Sequence, residues 1–238
     1  SSCGLIDGEG ALDYKEMVKG CKSKNVIMMV CDGCGFNQFI AADYFNYGEK
    51  EQQPFYSFPV TIAMSTHSNS ANIYSPKKVK STHDWVRSKF TDSGASATAL
   101  ATGVKTNNNR IGVDTQNEAV ENVTEVAHKT GRSAGVVTSM AISHATPASF
   151  TAHRVSRTDY EGIAQDMITQ THLDVILGAG HPMFNDNGTA LSTEVILDSA
   201  GNVISSAPHY NYLGGAALFE SLKAGTAKNL DGSWTFIE

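Results

Sequence analysis

Cysteine is scarce in this chain, and all four residues of that type fall early: Cys3, Cys21, Cys31 and Cys34. Cys31 and Cys34 form a CxxC, but a zinc ribbon needs a second such pair, and none follows. A redox pair opening a helix after a strand is compatible with the spacing, yet it leaves Asp32, between the two, without a use. A Cys3–Cys21 disulfide is compatible with an oxidising compartment, and spacing alone does not decide it. Basic residues are also few, 18 Lys and Arg against 24 Asp and Glu, for a formal net charge of −6. No Lys/Arg block is long enough for a nucleic-acid footprint, and the KKVK run, Lys77 to Lys80, reads as a solvated loop. The mild acidity does not restrict the substrate, since a few local cations can hold an anion. No apolar run reaches membrane-spanning length. A signal peptide is lacking too, so the expectation is a mature or a cytosolic chain. The opening SSCG reads either as a disordered terminus or as the scar of a lipoprotein cleavage with Cys3 lipidated. Repeats and low-complexity tracts are missing.

What is present is an ordinary globular balance over 238 residues, 41% apolar and 18% charged. That is enough for one domain, with or without a subdomain, around a sizeable core. Asn25 to Cys31 (NVIMMVC) reads as a buried strand ended by Asp32-Gly33. Asn37 to Tyr47 reads as a helix closed by Gly48, and Val60 to Ser65 as a short strand. Thr66 to Lys89 is a long polar surface excursion. A helix follows Ser93 to about Thr102, then a polar turn at Asn107 to Arg110. Val120 to Thr130 is an amphipathic helix capped by Gly131, Ser133 to Ser139 a strand, and Pro147 to His153 a helical piece. Asp159 to Thr171 is a helix, and Asp174 to Leu177 a strand. Further on come a hairpin over Leu191 to Ser206, a helix over Leu213 to Ala224 and a strand-like Leu230 to Glu238. Strands alternating with helices predict an α/β sheet, mainly parallel.

The most informative stretch is TDSGASATALATGVKT, Thr91 to Thr106. Asp92 precedes Ser93, small residues follow, and Gly103 stops the pattern. This places a hydroxyl at a helix start, where backbone N–H groups lack partners and the dipole is positive. Both suit an oxyanion, and small residues let a ligand approach the backbone. Plain helix capping by Asp92 and Ser93 is the competing reading. In parallel sheets, sites lie beyond the carboxyl ends of strands. Asp32 follows the first strand, while His144 and Thr146 follow the Ser133 strand, with Arg157 one short helix on. Asp, Thr and His suit a divalent metal; Arg presents a fork matched to phosphate oxygens. Together they suggest an anion held by Arg157, metals and helix N–H groups and attacked by Ser93.

These segments carry a resemblance. NVIMMVCDGCG (Asn25 to Gly35), TDSGASATALATGVKT, SHATPASFTAHRVSR (Ser143 to Arg157) and DVILGAG (Asp174 to Gly180) occur in the order found in the alkaline phosphatase family. The chain resembles the N-terminal portion of such an enzyme. The resemblance implies a three-layer α/β/α sandwich with a mainly parallel central sheet. It implies an N-terminal extension over 1–24 and the N-terminal portion of a single catalytic domain over 25–238, with a surface insertion at 66–90 and a peripheral segment at 186–238. It implies that Ser93 is the nucleophile and forms phosphoserine, that Arg157 grips two phosphoryl oxygens, and that Asp92 orients Arg157. Asp32 would bridge two metals, and Ser93 would also be a metal ligand. Thr146 would serve a third metal, usually magnesium, beside two zinc ions. His144 stands where the family carries Asp or His; because magnesium prefers oxygen, zinc or a water-bridged contact suits it. The substrates implied are phosphate monoesters, with inorganic phosphate as product and no specific nucleic-acid binding. A homodimer outside the cytoplasm is implied as well.

Further zinc ligands of the family have no counterpart after Phe184, where Asp231 and Glu238 lack evident partners. The expectation is an active parent protein and an inactive 238-residue piece. A phosphodiesterase or sulfatase relative on the same scaffold, and a non-catalytic metal or phosphate binder, are the alternatives. Ser75-Pro76-Lys77-Lys78 and Lys129-Thr130-Gly131 mimic penicillin-binding motifs. The first reads as a polar loop, the second as a helix C-cap. GAGHP reads as a strand-end turn. His153 reads as a packing or hydrogen-bonding residue. The remaining histidines, His67, His83, His128, His172, His181 and His209, receive no functional role.

Overall fold

The computed structural model describes residues 24–185, 187–191, 199–200 and 209–237, except the side chains of His83 and Val86. Cys3 and Cys21, with their pairing and the lipid-anchor reading, lie outside these residues, as does most of the expected Leu191–Ser206 hairpin.

In chain order the elements are α1 (Phe36–Tyr47), a short 3-10 helix (Pro54–Ser57), α2 (Pro76–Ser81), α3 (His83–Arg87) and α4 (Ser93–Thr102). Then come α5 (Val123–Lys129), β1 (Gly135–Ala141), α6 (Ala145–Ala148), α7 (Tyr160–Thr169) and β2 (Val175–Ala179). A 3-10 turn (Tyr210–Leu213) leads into α8 (Ala216–Lys223). β1 and β2 pair in parallel, with Gly135 opposite Val175 and an irregularity between Val137 and Ala141. The crossover through α6 and α7 is what a parallel pair requires. The expected α/β class with parallel pairing is present, and no helix among the described residues is long and apolar enough to cross a membrane.

Local chemistry sets the helix ends. Asp92 caps α4, accepting from the Ala95 amide, and Gly103 ends it in the left-handed region at φ 75°. Asn122 and Glu125 form a reciprocal capping box on α5, which leaves few orphan amides there. Asp159 caps α7 through the Gly162 amide. The core gathers Ile111, Ile142, Ile163, Met167, Ile168, Phe219 and Leu222, with Val136 and Ile176 of the sheet packed against it. The opposite face of the strand pair, Val137 and Leu177, is exposed. At this size of side chain, each fully buried core residue contributes about 1.5–3 kcal/mol of apolar transfer.

Several expectations need correction. Asn25 to Cys31 is not a buried strand: it is extended and unpaired, and Val26, Ile27 and Met29 are 86%, 85% and 89% exposed. Val60 to Ser65 is likewise extended and exposed. An apolar run becomes a parallel strand only when neighbours pair its edges and cover its faces, and no described segment does so here. The 66–90 excursion is helical in part, and the KKVK run, read as a solvated loop, lies in α2. The excursion carries α2 and α3, and its base is tied down: Ser68 N donates to Thr91 Oγ1 at 2.9 Å and Asn69 N to Thr106 O at 2.9 Å. Ser75 is the N-cap of α2 and Thr130 the C-cap of α5, so both penicillin-binding look-alikes are helix punctuation. Leu230 to Ile237 forms no strand; a single bridge, Lys228 to Ser233, closes a turn there.

Candidate functional site

The start of α4 is held by one carboxylate with three partners. Asp92 Oδ1 accepts from the Ala95 amide at 2.9 Å. Its Oδ2 accepts from the Asn109 amide at 2.9 Å and from Arg157 Nη1 at 3.2 Å. Both side chains of this ion pair are largely sheltered, Asp92 14% and Arg157 27% exposed. Arg157 is also fixed through its backbone, its amide donating to Asn109 O at 2.9 Å. Among the described residues the guanidinium makes no other hydrogen bond than that to Asp92, so most of its fork points are open to a ligand. Ser93 is the first residue of α4 and half-buried. Its amide and that of Gly94 belong to the turn in which helical N–H groups have no intrahelical acceptor. The helix dipole and these amides favour an anion, and Arg157, held by the cap residue of the same helix, adds a cation of the matching sign.

The packing below explains the small residues. A Cβ on Gly94 would sit 2.7 Å from Arg110 O, so α4 can approach that loop only with glycine there. Ala95, Ala97, Thr98 and Ala101 are buried. Thr98 Oγ1 accepts from the Gly112 amide at 3.0 Å and lies 3.3 Å from Ser149 Oγ. Ser149 Oγ in turn lies 3.2 Å from Gly94 O and 2.8 Å from Ala145 O. This buried hydroxyl ties the α4 start to α6, the helix that carries Thr146.

The second pair joins segments 114 residues apart: Thr146 Oγ1 donates to Asp32 Oδ2 at 2.9 Å. Asp32 lies in the tight turn closed by Cys34 N on Cys31 O, with Gly33 at φ 68°. Cys31 and Cys34 are free thiols. A carboxylate and a hydroxyl at this distance are hard oxygen donors and fit a magnesium-type ion. His144, at the N-cap of α6, stacks on Tyr160 (5.3 Å between centroids, 20°) and packs beside Tyr212. Its imidazole nitrogens fit zinc better than magnesium.

Sequence reasoning missed the support given by Asn108 and Asn109, which read only as a polar turn. Asn108 Oδ1 accepts from Ser68 Oγ at 2.6 Å and from the Asp92 amide at 3.3 Å, and its Nδ2 donates to Phe90 O. Asn109 adopts φ 73°, a left-handed conformation that Asn tolerates. No local sequence signal marks this support, because 16 positions separate Asn108 from Asp92.

A separate polar cluster lies behind. His153 bonds Gly112 O at 2.7 Å through Nδ1 and Glu125 Oε1 at 3.1 Å through Nε2. The Glu125 bond raises the His153 pKa above its ordinary 6.5, more than burial lowers it. For Glu125, burial pushes upward, but the bonds from His153 and the Asn122 amide prevail and its pKa falls. Arg154 is held by Asp166 through two bonds of 2.6 Å. His153 is thus the hydrogen-bonding residue that the sequence indicated.

The family profile for alkaline phosphatase matches residues 23–212. The chain belongs to the alkaline phosphatase family. It is 37% identical over 181 residues to alkaline phosphatase 4 of Bacillus subtilis, covering 72% of this chain and 36% of that protein. It is 30% identical to the alkaline phosphatase of Escherichia coli, covering 78% of this chain and 41% of the relative. Among solved structures, a cold-active alkaline phosphatase from Shewanella sp. is 35% identical, covering 63% of this chain and 34% of that one, at a TM-score of 0.48. The matched part of the chain therefore spans 34–41% of the length of these alkaline phosphatases.

Proposed function

We propose that this chain is the nucleophile-bearing part of a metal-dependent phosphomonoester hydrolase. The observation that carries it is the start of α4, where Ser93 directly follows Asp92, the cap residue whose carboxylate holds the Arg157 guanidinium. The Arg157 fork suits two non-bridging oxygens, and a monoester keeps a third for the other groups of the site, which a diester lacks. Arg157 and the first α4 amides hold those oxygens as charge develops in the transition state. Ser93 Oγ forms a bond to phosphorus while the bond from phosphorus to the ester oxygen breaks, and the proton lost by the hydroxyl ends, by way of solvent, on the departing alcohol. Water then cleaves the phosphoserine, releasing inorganic phosphate and restoring the hydroxyl. Divalent cations supply the Lewis acidity that makes a serine hydroxyl nucleophilic near neutral pH. In this reading Asp32, Thr146 and Ser93 hold zinc and magnesium, with His144 beside them. A homodimer outside the cytoplasm is part of the same reading, supported by family membership.

Phosphate binding tests the site independently of turnover. Calorimetry of the chain with zinc, magnesium and inorganic phosphate should detect binding, and Arg157→Ala should weaken it at least about tenfold, the scale of a charged hydrogen bond. No binding, or binding indifferent to Arg157→Ala, overturns the site. Turnover of p-nitrophenyl phosphate by the chain alone should be absent; robust turnover would overturn the expectation that further zinc ligands are needed. Where turnover occurs, a diester hydrolysed faster than the monoester would favour the phosphodiesterase alternative.

A further inference from the structure

The opposite end of α7 carries a cluster that the phosphatase reading does not use. His128 lies in the last turn of α5, His172 follows α7, and Asp231 sits in the turn closed by the Lys228–Ser233 bridge. Each offers one ligand atom, and these atoms all lie within 4.8 Å of one another. His172 Nδ1 is 2.9 Å from Asp231 Oδ1. The rings of His128 and His172 stack at 3.5 Å with 9° between their planes. The expectation that Asp231 lacks a partner is thereby corrected.

We propose that His128, His172 and Asp231 form a binding site for a divalent transition ion of the zinc class. Two imidazoles and one carboxylate are a borderline-soft donor set suited to zinc rather than to magnesium or calcium. Tetrahedral zinc places its ligand atoms about 3.3–3.5 Å apart, so closure requires side-chain rotations that draw the donor atoms together and turn the stacked rings until their nitrogens converge. His128 and Asp231 are exposed and free to make them.

The backbone under the cluster is already organised. Asn229 Nδ2 donates to Leu173 O at 2.8 Å, and the Leu230 amide to Thr171 O at 3.2 Å. Asn229 Oδ1 accepts the amides of Asp231 and Gly232. The turn bearing Asp231 is thus fastened to the segment bearing His172 before any ion arrives. His128 and His172 also line a cleft of about 260 Å³ with Glu121, Glu125, Lys129 and His153. That cleft gives an ion an approach from solvent and leaves room for water at the remaining coordination position. α7 rises about 15 Å from Tyr160, beside His144, toward this end, so the cluster is well removed from Thr146 and Asp32. An ion here clips three segments distant in sequence, which points to stabilisation of the fold.

The experiment titrates the chain with zinc by calorimetry, in an Asp32→Asn background that disables the Asp32–Thr146 pair. Histidine imidazole signals are followed by NMR. One equivalent should bind, shifting the His128 and His172 rings. His172→Ala or Asp231→Ala should weaken that equivalent at least about tenfold, the loss expected when a ligand or its supporting partner is removed. Zinc should raise the melting temperature of the Asp32→Asn chain and not that of the His172→Ala double variant. Should His172→Ala fail to fold, the exposed His128→Ala serves instead. Unshifted His128 and His172 signals, or a stoichiometry indifferent to all three substitutions, overturns the proposal and leaves a hydrogen bond between His172 and Asp231.

Discussion

Residues 25–65 and residues 91–182 are built from the same apolar side chains and end in opposite conditions. In the second region Ile111, Ile163 and Met167 have no exposed surface, while in the first Ile27 is 85% and Ile62 83% exposed. Hydrophobicity is a property of the residue, and burial is a property of the company it keeps. The second region has that company: α4 on α6, α7 on the turn before α8, and one face of the strand pair on Phe219 and Leu222. The first keeps its local features without it. Helix α1 still ends in a left-handed Gly48 and the Asp32–Gly33 turn still closes, because caps and turns need only near neighbours.

This contrast can be tested by substitution. The largest effect is expected in the packed region, where Ile163→Ala should cost about 2–5 kcal/mol of unfolding free energy in urea titrations. Next comes Asp92→Ala, which removes a cap worth about 1 kcal/mol and releases Arg157 together with the Asn109 amide. It should cost about 1–2 kcal/mol in the same assay and also weaken phosphate binding, whereas Asp92→Asn should retain most of the cap and lose the phosphate effect of the ion pair.

A smaller effect is expected from the partly exposed His153–Glu125 pair. The raised His153 contributes stability that is complete below its ordinary 6.5 and is lost as pH rises through its folded value. The lowered Glu125 contributes above its ordinary 4.5 and loses that contribution as pH falls through its folded value. The pair therefore stabilises most between those two ordinary values. The difference between the chain and His153→Gln should peak there, at no more than about 1 kcal/mol, and fade on the alkaline side. The smallest effect belongs to the unpacked region: Ile27→Ala should stay within about 0.5 kcal/mol. A cost at Ile27 equal to that at Ile163 would show that residues 25–31 are covered in solution and would erase the contrast.

The parts legible in the sequence follow the same division. α4 begins and ends where Asp92 and Gly103 place it, and α7 starts at its Asp159 cap, because caps are local and written in one or two residues. The strand positions of β1 and β2 were readable to within two residues, whereas the burial of Asn25–Cys31 was not, because periodicity does not reveal whether a covering surface is present. The Asp92–Arg157 pair was expected from the family resemblance, and the structure forms it; Asp32 and Thr146 were each expected as metal ligands, and the structure joins them by a hydrogen bond. Asn108 and Asn109 were passed over because a polar turn ordinarily faces water. His172 and Asp231 were passed over because 59 positions separate them and no local pattern links such residues.

The divided duty of Asp92 has a consequence for which residues that position tolerates. One oxygen reaches back to the helix and the other reaches across to Asn109 and Arg157, and a side chain with a single methylene is the right length for both. Glutamate would keep the charge and overshoot the Ala95 amide, so tolerance at residue 92 is set by reach before it is set by sign.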